Sequence, residues 1–240
     1  MKLAVVTGGT KGIGYSIVEM LLRKGYFVYL TYSEDDVAAE KALRCLGNIS
    51  PHFKIEKVNQ GDLLQVSCFA ERVIKQHNRI DCLVCNAGKT VRKRISELDN
   101  GEWEDVFSVG LVSHVYLIRD WWDLLQKKSR IIFIGSEMGI RPHSMSVAYG
   151  VMKAAVHALT KNLVKEFEGT GTTVNAVAPG FVETEWQKNK PTEIRESIVR
   201  KSACHRFAKP MEVAHAVEFC IENAFLNGSV IEINGGYNFK

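Results

Sequence analysis

Short β-branched apolar runs alternate along the chain with longer stretches in which apolar residues recur every three or four positions. The runs Leu3–Thr7, Phe27–Thr31, Phe53–Val58, Cys82–Cys85, Arg130–Ile134, Thr172–Val177 and Ser229–Ile233 predict strands. The periods Ile13–Arg23, Val37–Leu46, Val66–His77, Trp103–Gln126, Val147–Phe167 and Met211–Glu222 predict amphipathic helices between them. Strict βα alternation implies an α/β fold, a doubly wound parallel sheet of about seven strands with helices on both faces. Ile131-Ile132-Phe133-Ile134, apolar at successive positions, suits a strand buried on both sides. The rhythm breaks at residues 183–209, where polar, charged and proline residues replace it. With no repeat or linker, 1–240 reads as a single domain. The break after the sixth strand reads as a substrate lid at the carboxyl edge of the sheet, with a solvated surface loop as the alternative.

Composition narrows the class. The chain has 240 residues, 46% apolar and 24% charged, which suits a globular protein and excludes a disordered one. No apolar stretch is long enough to cross a bilayer, and Leu3–Val6 is too short for a signal peptide. Six scattered cysteines read as reduced thiols in a cytoplasmic protein. Cys82-x-x-Cys85 lies on a predicted strand, whose alternation sends the two thiols to opposite faces, and the histidines form no metal-spaced array, so no metal is expected. The net charge of +4 is too small to imply nucleic acid, and no membrane partner is expected.

Candidate chemistry begins after the first strand. Thr7-Gly8-Gly9-Thr10-Lys11-Gly12-Ile13-Gly14 opens a helix, and its glycines permit a tight turn that leaves backbone amides facing a pyrophosphate. A plain strand-to-helix turn is the alternative. The second strand reaches Tyr32 without a carboxylate of the kind that would hold the ribose 2′-hydroxyl of NAD, and Lys11 is suited to a 2′-phosphate, so NADPH is expected. Glu34, Asp35 and Asp36 keep NADH open. Asp62, before Leu63, accepts from an adenine amino group or simply caps the next helix. Asn86-Ala87-Gly88 closes the fourth strand.

Tyr149 and Lys153 stand four apart on one helix face, and Ser136 ends the fifth strand. A phenol is a poor base at neutral pH, but a nearby ammonium lowers its pKa and lets it exchange a proton with a carbonyl or alcohol oxygen. The Ser136 hydroxyl is suited to hydrogen-bonding the same oxygen.

Together with Asn175-Ala176-Val177-Ala178-Pro179-Gly180, these motifs resemble the short-chain dehydrogenase/reductase family over essentially the whole chain. Pro179-Gly180-Phe181-Val182-Glu183-Thr184 and Ile233-Asn234-Gly235-Gly236 most resemble the 3-oxoacyl-[acyl-carrier-protein] reductases. The resemblance implies a Rossmann-like fold and NADPH-dependent reduction of a 3-oxoacyl thioester. It makes Tyr149 the general acid and Ser136 the carbonyl-orienting group. Lys153 would bind the nicotinamide ribose while lowering the Tyr149 pKa. Thr7, Gly8, Thr10, Lys11, Gly12, Ile13, Gly14, Tyr32, Asp62, Leu63 and Asn86 to Gly88 fall on the cofactor cleft, as do Pro179 and Gly180, with Val182 and Thr184 at the carboxamide. A homotetramer or dimer is implied.

Two positions depart from the family pattern. Gly110 stands where an asparagine is expected to hold a water behind the lysine, and Cys85 replaces the first asparagine of the usual Asn-Asn-Ala-Gly. Glycine leaves space, so a second water is expected there, with activity retained at a reduced level. Basic residues gather at Lys89, Arg92, Lys93 and Arg94, at Lys127, Lys128 and Arg130, and in the lid at Lys188, Lys190, Arg195, Arg200, Lys201 and Arg206. They are expected to rim one cleft for an acyl carrier protein or a phosphopantetheine arm, with ordinary surface cations as the alternative. Met138, Ile140, Met145, Met152 and Trp186 would wall an acyl chain. The alternatives are another carbonyl or alcohol substrate (a sugar, steroid or secondary metabolite), or a non-catalytic nucleotide-binding subunit.

Overall fold

Seven parallel strands line up in the order β3-β2-β1-β4-β5-β6-β7. The computed structural model describes residues 1–142 and 146–239. The strands are β1 (Leu3–Val6), β2 (Phe27–Tyr32), β3 (Phe53–Lys57), β4 (Cys82–Cys85), β5 (Arg130–Ile134), β6 (Thr173–Pro179) and β7 (Val230–Ile233). Their bounds fall within two residues of those predicted from the apolar runs. The chain winds outward from β1 to β3, then returns to start β4 on the other side of β1. That reversal opens a crevice at the carboxyl ends of β1 and β4.

The helices are α1 (Gly12–Arg23), α2 (Asp36–Gly47), α3 (Leu63–Gln76), α4 (Asn100–Phe107), α5 (Ser113–Asp120), α6 (Trp122–Leu125), α7 (Val147–Glu166), α8 (Glu185–Lys188), α9 (Thr192–Lys201) and α10 (Pro210–Glu222). Strand side chains alternate between two cores. Leu83, Cys85, Ile131 and Phe133 pack with Phe69, Leu117, Trp121 and Val156 from α3, α5 and α7. Cys82, Val84, Ile132 and Ile134 pack with Ile17, Leu21, Leu46, Val213 and Val217 from α1, α2 and α10. Cys82 and Cys85 therefore face opposite cores as free thiols, and burial pushes both pKa values up. Each fully buried Leu, Ile or Phe contributes about 1.5–3 kcal/mol, so the two faces hold the sheet rigid beneath the crevice. Among the described residues no helix is long and apolar enough to cross a membrane.

Two predicted elements need correction. The single helix expected over Trp103–Gln126 is broken. It starts earlier, where Asp99 and Glu102 form a reciprocal capping box, and passes through a π-turn at Ser108–Val112. There Ser113 donates its amide to the Ser108 carbonyl and its hydroxyl to Val109, a back-bond that displaces the usual ladder. The irregular stretch at 183–209 contains α8 and α9. Pro191 before α9, with Glu193 in its first turn and Arg200 and Lys201 in its last, is the start-and-stop signal that the polar composition masked.

Candidate active site

Thr7, buried directly after β1, organises the crevice. Its Oγ1 accepts the amides of Asn86 and Ala87, each at 2.9 Å. With both lone pairs engaged, its proton points to His114 Nε2 at 3.3 Å, which makes this buried ring neutral with hydrogen on Nδ1. Burial, aided by the positive charge of Lys153, lowers the His114 pKa to about 3. The Asn86 side-chain amide donates to the carbonyls of Thr7 and Gly8, both at 2.9 Å, and so ties the glycine turn to β4. Gly8 and Gly12 have φ of +66° and +58°, and a Cβ on Gly14 would overlap the Gly8 carbonyl. Lys11, at the N-cap of α1, supplies no capping bond, and no acid occupies the first turn. The leading amides of a 12-residue helix are left without a side-chain acceptor, an arrangement suited to a phosphate. Thr10 is buried in this loop, and Ile13 packs half-buried on the core beneath.

At the far side of the crevice, Ser136 follows β5 and caps the short turn Glu137–Gly139, its Oγ accepting from Met138 N at 3.2 Å. One stripe of α7 carries Tyr149, Lys153 and His157, at i, i+4 and i+8. Lys153 Nζ donates to the Ile134 carbonyl at 2.6 Å and lies 5.6 Å from the Tyr149 ring centroid. His157 Nε2 accepts the Ser136 amide at 3.4 Å. Gly135 is required beside it, because a Cβ there would overlap the His157 ring. Burial lowers His157 to about 4, with the positive charge of Lys153 adding to the effect, so this ring too is neutral.

The charges differ from the simple expectation. Burial lowers the Lys153 pKa to about 8 and raises Tyr149 to about 12, the latter opposed by hydrogen bonding from Ser136. In the protein alone, desolvation outweighs any stabilisation of the phenolate by the ammonium. Tyr149 is therefore a protonated phenol at neutral pH.

The remaining residues expected on the cofactor cleft lie along the same edge. Pro179 ends β6, and Gly180 donates to Ile233 while passing close to Asn234. Val182 is buried and bridges Ala208, and the Thr184 methyl lies 3.4 Å from where a Gly12 Cβ would sit. Trp186 on α8 stands edge-on to Tyr149, ring centroids 6.2 Å apart. Gly88 lies beside the Lys153 ammonium. Asp62 caps α3 through Leu64 N and Gln65 N, with Leu63 opening that helix. At the end of β2, Tyr32 donates to Asp36, itself paired with Lys57. Lys11 is also engaged, pairing with Asp35 at 2.7 Å.

Three expectations are overturned by packing. The space beside Gly110 is not open for water, because the Met152 thioether fills it: a Cβ on Gly110 would lie 2.5 Å from Met152 Cε and 2.6 Å from Sδ. Met152 is consequently fully buried and walls no substrate, whereas Trp186 stands beside Tyr149; Met145 lies outside the described residues. The basic residues do not rim one cleft. Arg130 begins β5, and Lys127 bonds the Asn78 carbonyl, so Lys127, Lys128 and Arg130 occupy the opposite edge of the sheet.

The pattern of the short chain dehydrogenases matches residues 2–195. The chain belongs to that family. It is 31% identical over 242 residues to the 3-oxoacyl-[acyl-carrier-protein] reductase FabG of Thermotoga maritima, covering 98% of this chain and 97% of that protein. It is also 31% identical to the acetoacetyl-CoA reductase of Synechocystis, with 99% and 96% covered. A short-chain dehydrogenase/reductase from Serratia marcescens superposes with a TM-score of 0.92 at 26% identity, over 98% of this chain and 97% of that one. As a short-chain dehydrogenase the chain is an NAD(P)-dependent oxidoreductase acting on a carbonyl or alcohol group. The uncapped α1, the Gly14 close approach and the buried Lys153 amine fit such a dinucleotide. His114 and His157 are the site-supporting residues that sequence reading missed, and Met152 was read there as a substrate wall rather than as the filler beside Gly110. For His157 a signal existed, since it continues the Tyr149–Lys153 stripe by one turn.

Proposed function

We propose that the chain reduces a 3-oxoacyl thioester to its 3-hydroxyacyl form with NADPH, Tyr149 donating the proton. The observation that carries the reading is the convergence of Ser136, Tyr149 and Lys153 at one edge of the sheet, with burial holding the Tyr149 phenol protonated near neutral pH. A reductase needs its acid in that form. When bound, the nicotinamide would supply the hydride that the carbonyl carbon receives. Ser136 Oγ hydrogen-bonds the carbonyl oxygen and steadies the charge that develops there. Tyr149 gives its hydroxyl proton to that oxygen, and the adjacent Lys153 ammonium stabilises the phenolate left behind. His157 holds the Ser136 backbone in place through its amide.

The cofactor is held by Thr7, Gly8, Thr10, Gly12, Ile13 and Gly14 at the pyrophosphate side and by Asn86–Gly88, Pro179, Gly180, Val182 and Thr184 nearer the nicotinamide. NADPH is supported by Lys11, whose pair with Asp35 is solvated on both sides and holds it by about 1 kcal/mol or less. A 2′-phosphate offers two charges to the same ammonium. The thioester is supported by relatives named for 3-oxoacyl-carrier-protein and acetoacetyl-CoA reduction. The segment 183–209 acts as a lid, with Trp186 over Tyr149.

The test is oxidation of NADPH and NADH, followed at 340 nm, with an acetoacetyl thioester. NADPH-preferring turnover is expected. No turnover with NADPH demonstrably bound would overturn the thioester reading and turn the search to other carbonyl substrates or an active partner.

A further inference from the structure

The turn that carries Ser136 is held from two sides. On one side it presses on α7, where a Cβ on Gly139 would lie 2.7 Å from the backbone of both Lys153 and Ala154. On the other stands Glu137, a carboxylate only 4% exposed and distinct from the reacting groups. Arg141 Nη1 donates to Glu137 Oε1 at 2.5 Å, and Asn234 Nδ2 donates to Glu137 Oε2 at 3.0 Å. The same two donors also reach Glu232 Oε2, at 2.6 Å and 3.1 Å. Two carboxylates thus share one guanidinium and one amide.

The partners come from different strands. Glu137 follows β5, Glu232 lies on β7 and Asn234 directly follows it, and β6 runs between those two strands. At ordinary strand spacing the outer pair are about 10 Å apart. The bonds therefore cross the carboxyl end of β6, where Gly180 donates to the Ile233 carbonyl at 3.0 Å and a Cβ on Gly180 would lie 3.1 Å from Asn234 Cα. Asn234 is fixed in turn, since its Oδ1 accepts the Gly236 amide at 2.9 Å. Arg141 is tied to the turn through its own amide, which donates to the Glu137 carbonyl at 2.9 Å. Ser136 Oγ accepts from Met138 N and the Ser136 carbonyl accepts from Gly139 N, so Glu137 lies inside the loop that these two bonds close. A carboxylate taken out of water is costly unless it is paired and hydrogen-bonded, and here both oxygens are engaged. Charge-assisted bonds fix direction as well as distance.

We propose that Glu137 is a positioning residue: its carboxylate, held by Arg141 and Asn234, straps the Ser136 turn to the end of β7 and so fixes where the Ser136 hydroxyl meets the substrate carbonyl. This rests on the reading of Ser136 above and extends it to what holds that serine. Release of the strap frees the Glu137 backbone and lets the Met138 amide drift from Ser136 Oγ. The hydroxyl then meets the developing charge less squarely, although no reacting group has been removed.

The experiment is a double-mutant cycle on kcat for reduction of an acetoacetyl thioester with NADPH, using Glu137→Gln, Ser136→Ala and the double variant. Glutamine keeps the length of the side chain but turns an NH2 group toward one of the two donors. Glu137→Gln is expected to lower kcat about tenfold in the wild-type background, the change that about 1.4 kcal/mol produces, and less than about twofold when Ser136 is already alanine. An equal fold loss in both backgrounds, the mark of a general weakening of the fold, overturns the strap, as does no loss in the wild-type background. Arg141, whose side chain is partly exposed, gives access from the outer end: Arg141→Gln breaks the same strap and is read in the same two backgrounds if Glu137→Gln does not fold. Wild-type kcat in Ser136→Ala overturns the serine reading and the strap together. If no thioester is reduced, the thioester reading fails alone, and hydrogen exchange over residues 136–141 decides the strap. Exchange about tenfold faster in Glu137→Gln than in wild type upholds it, and unchanged exchange overturns it.

Discussion

The thioether of Met152 occupies the place where a side chain on Gly110 would stand, with Cε 2.5 Å and Sδ 2.6 Å from the position of its Cβ. Gly110 sits in the π-turn between α4 and α5, and Met152 lies on α7 beside Lys153. The two helices approach because one residue has no side chain and the other is long and pliable. The space beside Gly110 is therefore filled by the Met152 side chain.

Gly110→Asn is expected to overpack this contact, at a cost of about 1–3 kcal/mol. For a chain of this size, about 2 kcal/mol lowers Tm by about 4–8 °C. Met152→Ala in the same chain should recover most of that loss, because the two side chains share one volume. Additive losses by thermal denaturation would show that the residues do not compete.

Tyr149→Phe is expected to lower kcat by about 10²–10⁴, the range for loss of a general acid, while NADPH titration by fluorescence stays close to wild type. His157→Leu leaves the Ser136 amide without its acceptor, and a smaller loss of kcat with unchanged cofactor affinity is expected. Full activity in the tyrosine variant would sink the assignment.

The lowered Lys153 pKa, about 8, sets a limit on the alkaline side. Reductive kcat should decline as pH passes about 8 and the ammonium is lost. The same shift has a stability sign. Above about 8 the folded protein releases this proton before the unfolded chain does, so stability tied to Lys153 rises with pH until the ordinary lysine value is reached. Below that window the buried charge costs about 3 kcal/mol. Lys153→Met, though inactive, should therefore gain its largest Tm advantage over wild type near neutral pH and lose it toward pH ~10.4, the ordinary lysine value. An advantage independent of pH would contradict the assignment.

Asp35→Asn frees Lys11 from its carboxylate. KM for NADPH should fall by up to about fivefold, the effect of about 1 kcal/mol, while KM for NADH changes little. The gain should shrink at high salt, since both groups are exposed. An equal change for both cofactors would place Lys11 away from the 2′-phosphate.

Much of this protein was legible along the chain. Short apolar runs between stretches of period three to four located every strand and most of the long helices that wrap them, because each element buries its own apolar positions against the sheet. The glycine turn, Asn86-Ala87-Gly88, Ser136 and the Tyr149–Lys153 spacing were readable for the same reason: each is a local backbone or helical-face relationship. The pairing of Gly110 with Met152 was not readable, nor was the engagement of Thr7 by His114 or of the Ser136 amide by His157. These residues meet only after the sheet and helices pack, and nothing in local periodicity says which side chain enters which space. Charge was the least readable quantity. Lys89 and Arg92 are three residues apart, yet Asp105 pairs with Lys89 while among the described residues no carboxylate stands within ion-pair distance of Arg92. A sign is a property of a residue, but its compensation depends on distances that only the folded chain sets, and so does the desolvation that raises the Tyr149 pKa and lowers that of Lys153.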